Sequence, residues 1–130
     1  MISLVLVMLA GFCNAVMDII QFKYNQSIFA KYPSLDQWAN PMRSWRNKWK
    51  DGNPQLGERF PFSSTVFVWV TDLWHFAQSF MITFFVLAAI FYSPIISFDN
   101  YIIEVVVSLA ILKVGFSITF EIFWSKILKL

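Results

Sequence analysis

Three long apolar stretches constrain the fold of this chain more than any other feature of its sequence. They run from about residue 2 to 22, from about 66 to 92 and from about 101 to 128. A helix of about 20 residues crosses the roughly 30 Å hydrocarbon core of a bilayer, and none of the stretches shows the strict alternation of a membrane-spanning strand. We therefore expect an all-α membrane protein in which three transmembrane helices form a single domain over residues 1–130.

The composition points to the same class of protein. Of the 130 residues, 58% are hydrophobic and 14% are charged, whereas soluble domains carry about 25% charged residues. The single cysteine, Cys13, excludes an intramolecular disulfide and a cysteine-based zinc site. The first apolar stretch lacks the basic start and the A-x-A cleavage site of a signal peptide, so we interpret it as an uncleaved span.

Lysine and arginine are distributed unevenly between the two sides of the predicted spans. The loop between spans one and two, its border, and the end of span three carry nine of the ten basic residues: Lys23, Lys31, Arg43, Arg46, Lys48, Lys50, Arg59, Lys126 and Lys129. The other side, with the beginning of the chain and the turn 93–100, has none. By the positive-inside rule, we expect the N-terminus outside and the C-terminus in the cytosol.

The cytosolic loop, residues 25–64, is predicted to contain one interfacial amphipathic helix from about Pro41 to Asp51. Asn40 before Pro41 is typical of a helix start, and Gly52 of a helix end. Tryptophans on one face and cations beside it favour a helix lying in the membrane plane. The residues that we expect at the interface or on lipid phosphates are Arg43, Trp45, Arg46, Lys48, Trp49 and Lys50. They either anchor the loop or hold a lipid phosphate or a partner.

Polar residues recur at helical spacing inside each predicted span, although an ionisable group there costs about 2.5–3.5 kcal/mol on insertion scales. At about 1.5 Å per residue, Asp18, Asp72 and Glu121 would all lie within roughly 10–15 Å of the cytosolic boundary. We therefore expect the stripes on the three helices to converge on one buried cluster. Its predicted members are Asn14, Asp18, Asp72, His75, Lys113 and Glu121.

Two interpretations of this cluster stay open. The side chains either hydrogen-bond to one another and hold the helices together, or they form a site for a metal, a proton or a lipid head group. The candidate ligands for a divalent metal are Asp18, Asp72, His75 and Glu121, with His75 and Asp72 also the candidate acid–base pair. Lys113 competes with a metal as the counter-ion. The spacing matches no recognised ligand motif, and the chain has no glycine-rich phosphate loop, serine elbow or HExxH motif.

Part of the chain is similar to proteins of a known group. The segments Asn14–Asp18, Ser44–Lys50 with the following Gly52 and Pro54, and Thr71–His75 resemble those of small uncharacterised membrane proteins from Bacteroidetes-type bacteria and their phages. The resemblance covers about residues 11–78 and leaves the third span unmatched. It implies a bacterial inner membrane or a virion membrane as the setting, and it implies no activity.

Three functional hypotheses follow from these features. The leading one is a structural or accessory component of a membrane assembly, acting as a homo-oligomer or as a subunit among membrane lipids. The alternative is a membrane-embedded enzyme on lipid head groups, with His75 and Asp72 as acid and base and with Asp18 and Glu121 as metal ligands. The third is an oligomeric pore or holin. A nucleic-acid partner is not expected, because anionic lipid competes for cations this close to a membrane.

Overall fold

The computed structural model describes residues 1–130 and is helical, with no β-sheet. Five α-helices follow one another along the chain: α1 (Ile2–Lys23), α2 (Asp36–Ala39), α3 (Pro41–Ser44), α4 (Leu73–Ile90) and α5 (Tyr101–Ile122). A π-helical segment, Phe123–Leu128, continues α5. Three helical stretches, built on α1, α4 and α5, are long and apolar enough to cross a membrane. The prediction of three such helices in an all-α chain is confirmed.

α1 is the central helix of the bundle. Half of its most apolar 18-residue window is buried, against 11% for α4 and 6% for α5 with its continuation. α1 packs along both other long helices, whereas α4 and α5 make few contacts with each other. α4 and α5 carry many exposed apolar side chains, among them Ile82, Val86, Val106 and Ile118. Exposed apolar surface of this extent is typical of a membrane or protein contact.

Two glycines allow α1 and α5 to approach closely. A Cβ atom added to Gly11 would lie 2.6 Å from the carbonyl oxygen of Phe116, and one added to Gly115 would lie 2.7 Å from Leu4 Cδ1. At Gly11 the obstacle is backbone, which cannot move aside as a side chain can. Small residues at helix contacts are how membrane helices pack when lipid is as apolar as their side chains.

The bundle has two distinct ends. At one end, which we name the turn end, residues 91–100 join α4 to α5, and Ser3 Oγ donates a hydrogen bond to Phe91 O at 2.9 Å. At the other end lies the segment between α1 and α4, residues 24–72, which we name the cap. Leu130 N donates to Gln26 O at 2.7 Å, so the chain ends against the cap. Nine of the ten basic residues therefore lie at the cap end, and the turn end carries none.

The predicted start of a helix at Pro41 is confirmed. Asn40 Oδ1 accepts a hydrogen bond from Met42 N at 3.0 Å, and Pro41 is the first helical residue. α3 is only four residues long, however, and a 3₁₀ segment, Trp45–Lys48, follows it.

Beyond Lys48 the prediction of one helix from Pro41 to Asp51 is wrong. Trp49 is extended, with φ −111° and ψ 148°. Lys50 N donates to Gly57 O at 3.0 Å, and Arg59 N donates to Lys48 O at 2.9 Å. The backbone of this segment thus pairs with a later part of the cap, so its hydrogen bonds no longer follow the helix.

The second apolar helix is shorter than the predicted span over residues 66–92. α4 begins at Leu73 because Asp72 Oδ1 accepts a hydrogen bond from His75 N at 2.8 Å and caps the helix. Residues 63–65, just before the predicted start of this span, lie in turns. Asn100 caps α5 and accepts a hydrogen bond from Ile102 N at 2.9 Å. Asp72 therefore lies at a helix terminus, not inside a helix.

Candidate anion-binding cleft in the cap

The structure brings two of the six predicted cluster residues together. His75 Nδ1 lies 2.8 Å from Asp72 Oδ1 and 2.7 Å from Asp72 Oδ2. The Asp72 carboxylate, on a residue only 3% exposed, also accepts from Thr71 Oγ1 at 3.2 Å. Because Nδ1 faces a carboxylate, it carries the ring proton, and Nε2 is then the nitrogen that can accept one.

The other four residues do not join this pair. Asn14 and Asp18 are half-buried on α1, while Lys113 and Glu121 are exposed on α5. None of their side chains takes part in an ion pair, and they do not hydrogen-bond to one another across the bundle. No group of three His, Cys, Asp or Glu side chains is arranged to hold a metal ion. The expected convergence of the three stripes, as a metal site or as a hydrogen-bonded cluster, is not observed.

Among the interface cations, Arg43 is occupied by an acidic residue of the cap. Its Nη1 lies 2.6 Å from Asp36 Oδ2. Asp36 Oδ1 also accepts hydrogen bonds from Asn40 Nδ2 at 2.9 Å and from the Tyr24 hydroxyl at 3.0 Å. These hydrogen bonds, Asn40 first, and then the nearby Arg43 charge hold the pKa of Asp36 below its ordinary value of 3.8. Asp36 of α2 thus pairs with Arg43 of α3 and holds Tyr24, the residue that follows α1.

Arg46 and Arg59 line one polar cleft. The cleft has a volume of about 340 Å³ and is completed by Gln37, Asn47, Trp49, Asp51 and Gly52. Both arginines are exposed, and neither has a carboxylate oxygen within 4.0 Å. Asp51 is the one acidic residue in the lining. Two guanidinium groups without an ion-pair partner at one cleft form a candidate site for an anion.

A second cleft adjoins the first. Its volume is about 240 Å³, and it shares Gln37, Asn47 and Arg59 with the first cleft. Thr71, the residue before the Asp72 cap, lies in its wall. Arg59 therefore lies between the first cleft and the start of α4, where the Asp72–His75 pair is found.

Asn47 fixes the floor shared by both clefts. Its Nδ2 donates to Gln37 O at 2.8 Å and to Thr71 O at 2.8 Å. Its Oδ1 accepts from Gln37 Nε2 at 2.7 Å. One amide side chain thus joins α2, the 3₁₀ segment of the cap and the residue that precedes the cap of α4.

The turn that follows Arg59 is held by the carboxylate of Glu58. The carboxylate of the neighbouring Glu58 accepts hydrogen bonds from Phe62 N at 2.9 Å, from Ser64 N at 3.1 Å and from the Ser64 hydroxyl. These bonds, the Ser64 hydroxyl first, lower the pKa of Glu58 from its ordinary value of 4.5. Phe62 has a φ of 62°, a strained value for an aromatic residue that this network holds.

The predicted interface residues do not share one face. Trp45 is 41% exposed, and the Arg46 guanidinium lies 5.3 Å from its ring centroid, a cation–π distance. Trp49 is half-buried and lines the cleft, while Lys48 is half-buried and Lys50 is exposed. The tryptophans thus divide into one that faces outward and one that forms part of the candidate site.

Of the residues that line the cleft, Arg46 and Trp49 were predicted at the interface, whereas Gln37, Asn47 and Arg59 were not. Asn47 lies inside the segment predicted as a helix, and in such a helix it would be an ordinary polar surface residue. Its partners are 10 and 24 positions away, and helical periodicity carries no information over such distances. The one available signal for Arg59 was its membership of the same basic loop.

Comparisons with protein families, with characterised proteins and with solved structures find no match to this chain. The resemblance of residues 11–78 to small membrane proteins of bacteria and phages therefore stays a prediction.

Proposed function

We propose that this chain is an integral membrane protein that serves as an accessory component of a membrane assembly and holds anionic lipid at its cap. In this proposal α1, α4 and α5 cross a bacterial inner membrane or the lipid layer of a virion. The N-terminus lies outside, and the cap lies on the cytosolic leaflet. The distribution of charge supports this orientation, since nine basic residues are at the cap end and none at the turn end.

The observation that carries the proposal is the pair of arginines at one cleft. Arg46 and Arg59 both line it, and neither is ion-paired. A guanidinium group presents N–H donors in a planar fork that matches the oxygens of a phosphate. Juxtamembrane cations gain about 1 kcal/mol each near an anionic leaflet. Lipid phosphate is thus the anion that this position and this chemistry favour.

Spin-labelled phosphatidylglycerol tests the lipid contact. We reconstitute the full chain in phosphatidylcholine bilayers and compare the immobilised fraction of this lipid with that of spin-labelled phosphatidylcholine. The wild type is expected to prefer phosphatidylglycerol, and Arg46→Gln with Arg59→Gln to lose most of that preference. The matched control, Lys23→Gln with Lys31→Gln, removes the same charge from exposed residues outside the cleft. Equal losses in both double variants would overturn the cleft as the site.

The accessory role has a separate test. The bundle leaves wide apolar surface uncovered on α4 and α5, as a subunit that packs against other membrane proteins would. Purified from its native membrane in mild detergent, the chain is expected to elute in a complex larger than a monomer. A lone monomer, together with intact membrane complexes or particles after its deletion, would refute the accessory role.

The second candidate function is chemistry on a lipid head group. It is favoured by the Asp72–His75 pair, in which a carboxylate orients an imidazole and Asp72 directly follows Thr71 in the wall of the second cleft. His75 would act as general base or acid through Nε2, while Arg59 holds the phosphate. Asp18 and Glu121 lie apart from this pair, so neither has a role as a metal ligand in this second candidate function.

Radiolabelled phosphatidylglycerol tests this second candidate. Turnover by the reconstituted wild type should be lost in His75→Ala, while helicity and thermal stability are kept. His75→Gln serves as the control, because its amide can still donate to Asp72 without acting as a base. No product from the wild type, or full turnover in His75→Gln, would exclude His75 as acid or base.

A further inference from the structure

A groove of about 610 Å³ lies between α4 and α5 in the half of the bundle nearer the turn end. It exists because both helices pack on α1 and hardly on each other. Val7 of α1 forms its floor, Ala88 belongs to one wall and Leu109 to the other. Phe85 and Phe116, with ring centroids 5.9 Å apart, are the stacked pair that bridges the two walls. Eight of its nine lining residues are hydrophobic.

Lys113 is the exception in this apolar groove. It is exposed, and no carboxylate oxygen lies within 4.0 Å of its ammonium group. With a rise of 1.5 Å per residue, it lies about 18 Å along the helix from Tyr101 and about 22 Å from Leu128. In a spanning α5 this is close to the middle of the bilayer. A cation at that depth is costly unless an anion meets it.

The carboxylates of this chain do not reach the level of Lys113. Glu104 lies about 13 Å nearer the turn end and Glu121 about 12 Å nearer the cap, by helical rise. Asp18 is seven residues beyond Gly11, which packs on Phe116, so it lies at a level about 15 Å from Lys113. A second copy in the same orientation has its carboxylates at these same depths.

A lipid phosphate does not reach Lys113 either. The head groups lie beyond the hydrocarbon core, about 15 Å from the bilayer midplane. An acyl chain fills an apolar groove but brings no charge to its centre. The occupant that satisfies both the apolar walls and the cation is a helix with a carboxylate at mid-membrane depth.

We propose that the groove between α4 and α5 binds a membrane-spanning helix of a partner protein that carries an aspartate or glutamate opposite Lys113. The small side chain of Ala89, an exposed residue in the wall, lets a helix approach closely. This inference rests on the proposed accessory function and names the partner that such an assembly supplies. The groove contains no residue of the cap. The test of helix binding at Lys113 and the test of lipid binding at Arg46 and Arg59 can therefore fail independently.

A synthetic helix serves as the probe. Leucine–alanine peptides of spanning length carry a dansyl group and one central residue, either Glu or Gln. Energy transfer from the protein's tryptophans reports association with the full chain in phosphatidylcholine liposomes. The Glu peptide is expected to bind about tenfold tighter than the Gln peptide, a difference of about 1.4 kcal/mol. Lys113→Met should remove this difference, and Lys113→Glu should prefer a peptide with a central Lys.

Lys126→Met is the matched control. This exposed lysine lies at the cap end of the chain, outside the groove, so the variant should keep the preference for the Glu peptide. Equal binding of the Glu and Gln peptides by the wild type overturns the proposal. A preference for the Glu peptide that persists in Lys113→Met also overturns the proposal. Self-association of the protein that blocks the peptide and disappears in Lys113→Met would assign the groove to a second copy instead.

Discussion

The helix bundle and the cap, residues 24–72, are held together by different interactions. In the bundle, α1 meets α5 through Gly11 and Gly115, and one side-chain hydrogen bond joins Ser3 of α1 to Phe91 O in the turn that follows α4. In the cap, Asn47 and Glu58 each make three hydrogen bonds. The bundle therefore depends on steric fit and the cap on polar contacts, so different substitutions should break each.

The largest effect is expected from a side chain at the closest approach in the bundle. Gly11→Leu places a Cβ where the Phe116 carbonyl oxygen lies 2.6 Å away, so α1 and α5 must separate. Over-packing costs about 1–3 kcal/mol, and because backbone blocks the site we expect the upper part of that range. Unfolding of the reconstituted or detergent-solubilised protein by sodium dodecyl sulfate measures it.

Ala110→Leu is the control for this prediction. Ala110 is exposed on α5, so the same gain in size should change stability little. Equal losses in the two variants would mean that helix contact at Gly11 is not what holds α1 to α5.

The next effect is expected from Asn47→Ala in the cap. It removes three hydrogen bonds and leaves the carbonyl of the buried Thr71 without this donor. An unsatisfied buried polar group costs about 1–3 kcal/mol. Protease cleavage within residues 24–72 should become faster, while resistance of the bundle to sodium dodecyl sulfate stays unchanged. Asn53→Ala, which removes only a local bond to Gln55 N, should cleave like the wild type.

The sequence predicts the helix bundle better than it predicts the cap. The three apolar stretches locate α1, α4 and α5, because a long apolar run without strand-like alternation predicts an apolar helix. The Asn40 cap was also predictable, because capping acts between residues two or three apart. The start of α4 was missed, since Asp72 resembles the other polar residues of a span until its bond to His75 N is seen.

The site was less predictable for a geometric reason. Helical spacing shows that Lys113 and Glu121 share a face of their helix, but it does not show how that helix is rotated about its axis toward its neighbours. The predicted cluster required all three helices to be rotated so that their polar stripes face one another. The cleft in the cap depends on contacts across 10 to 24 positions, in a segment where Trp49 leaves the helical conformation.

A smaller effect, specific to the cap, is expected from pH. Hydrogen bonds to ionised Glu58 lower its pKa from 4.5, so the native state prefers the charged form more than the unfolded chain does. This stabilisation is complete above pH 4.5 and is lost as the pH falls through the lower native pKa. Amide exchange of Phe62 and Ser64, corrected for its intrinsic pH dependence, should therefore accelerate under acid.

Glu58→Gln should make this exchange fast already at neutral pH and largely independent of acid. Asp99→Asn removes a carboxylate at the turn end and should leave the acid response of Phe62 and Ser64 as in the wild type. An unchanged response in Glu58→Gln would place the sensitivity elsewhere in the cap.

The smallest effect on stability is expected from Arg43→Gln, and it separates the two roles of arginine within the cap. Arg43 pairs with Asp36 at 2.6 Å, but its side chain is 64% exposed, and solvent screens such pairs so that they contribute little. Protease resistance should fall slightly, and the preference for phosphatidylglycerol should persist, because the cleft keeps Arg46 and Arg59. Arg46→Gln with Arg59→Gln should lose the preference for phosphatidylglycerol and keep the protease resistance, since neither arginine supports the fold through an ion pair. If Arg43→Gln instead abolished the lipid preference while the cap stayed folded, the anion would bind at the α2–α3 surface and the cleft would be only a structural gap.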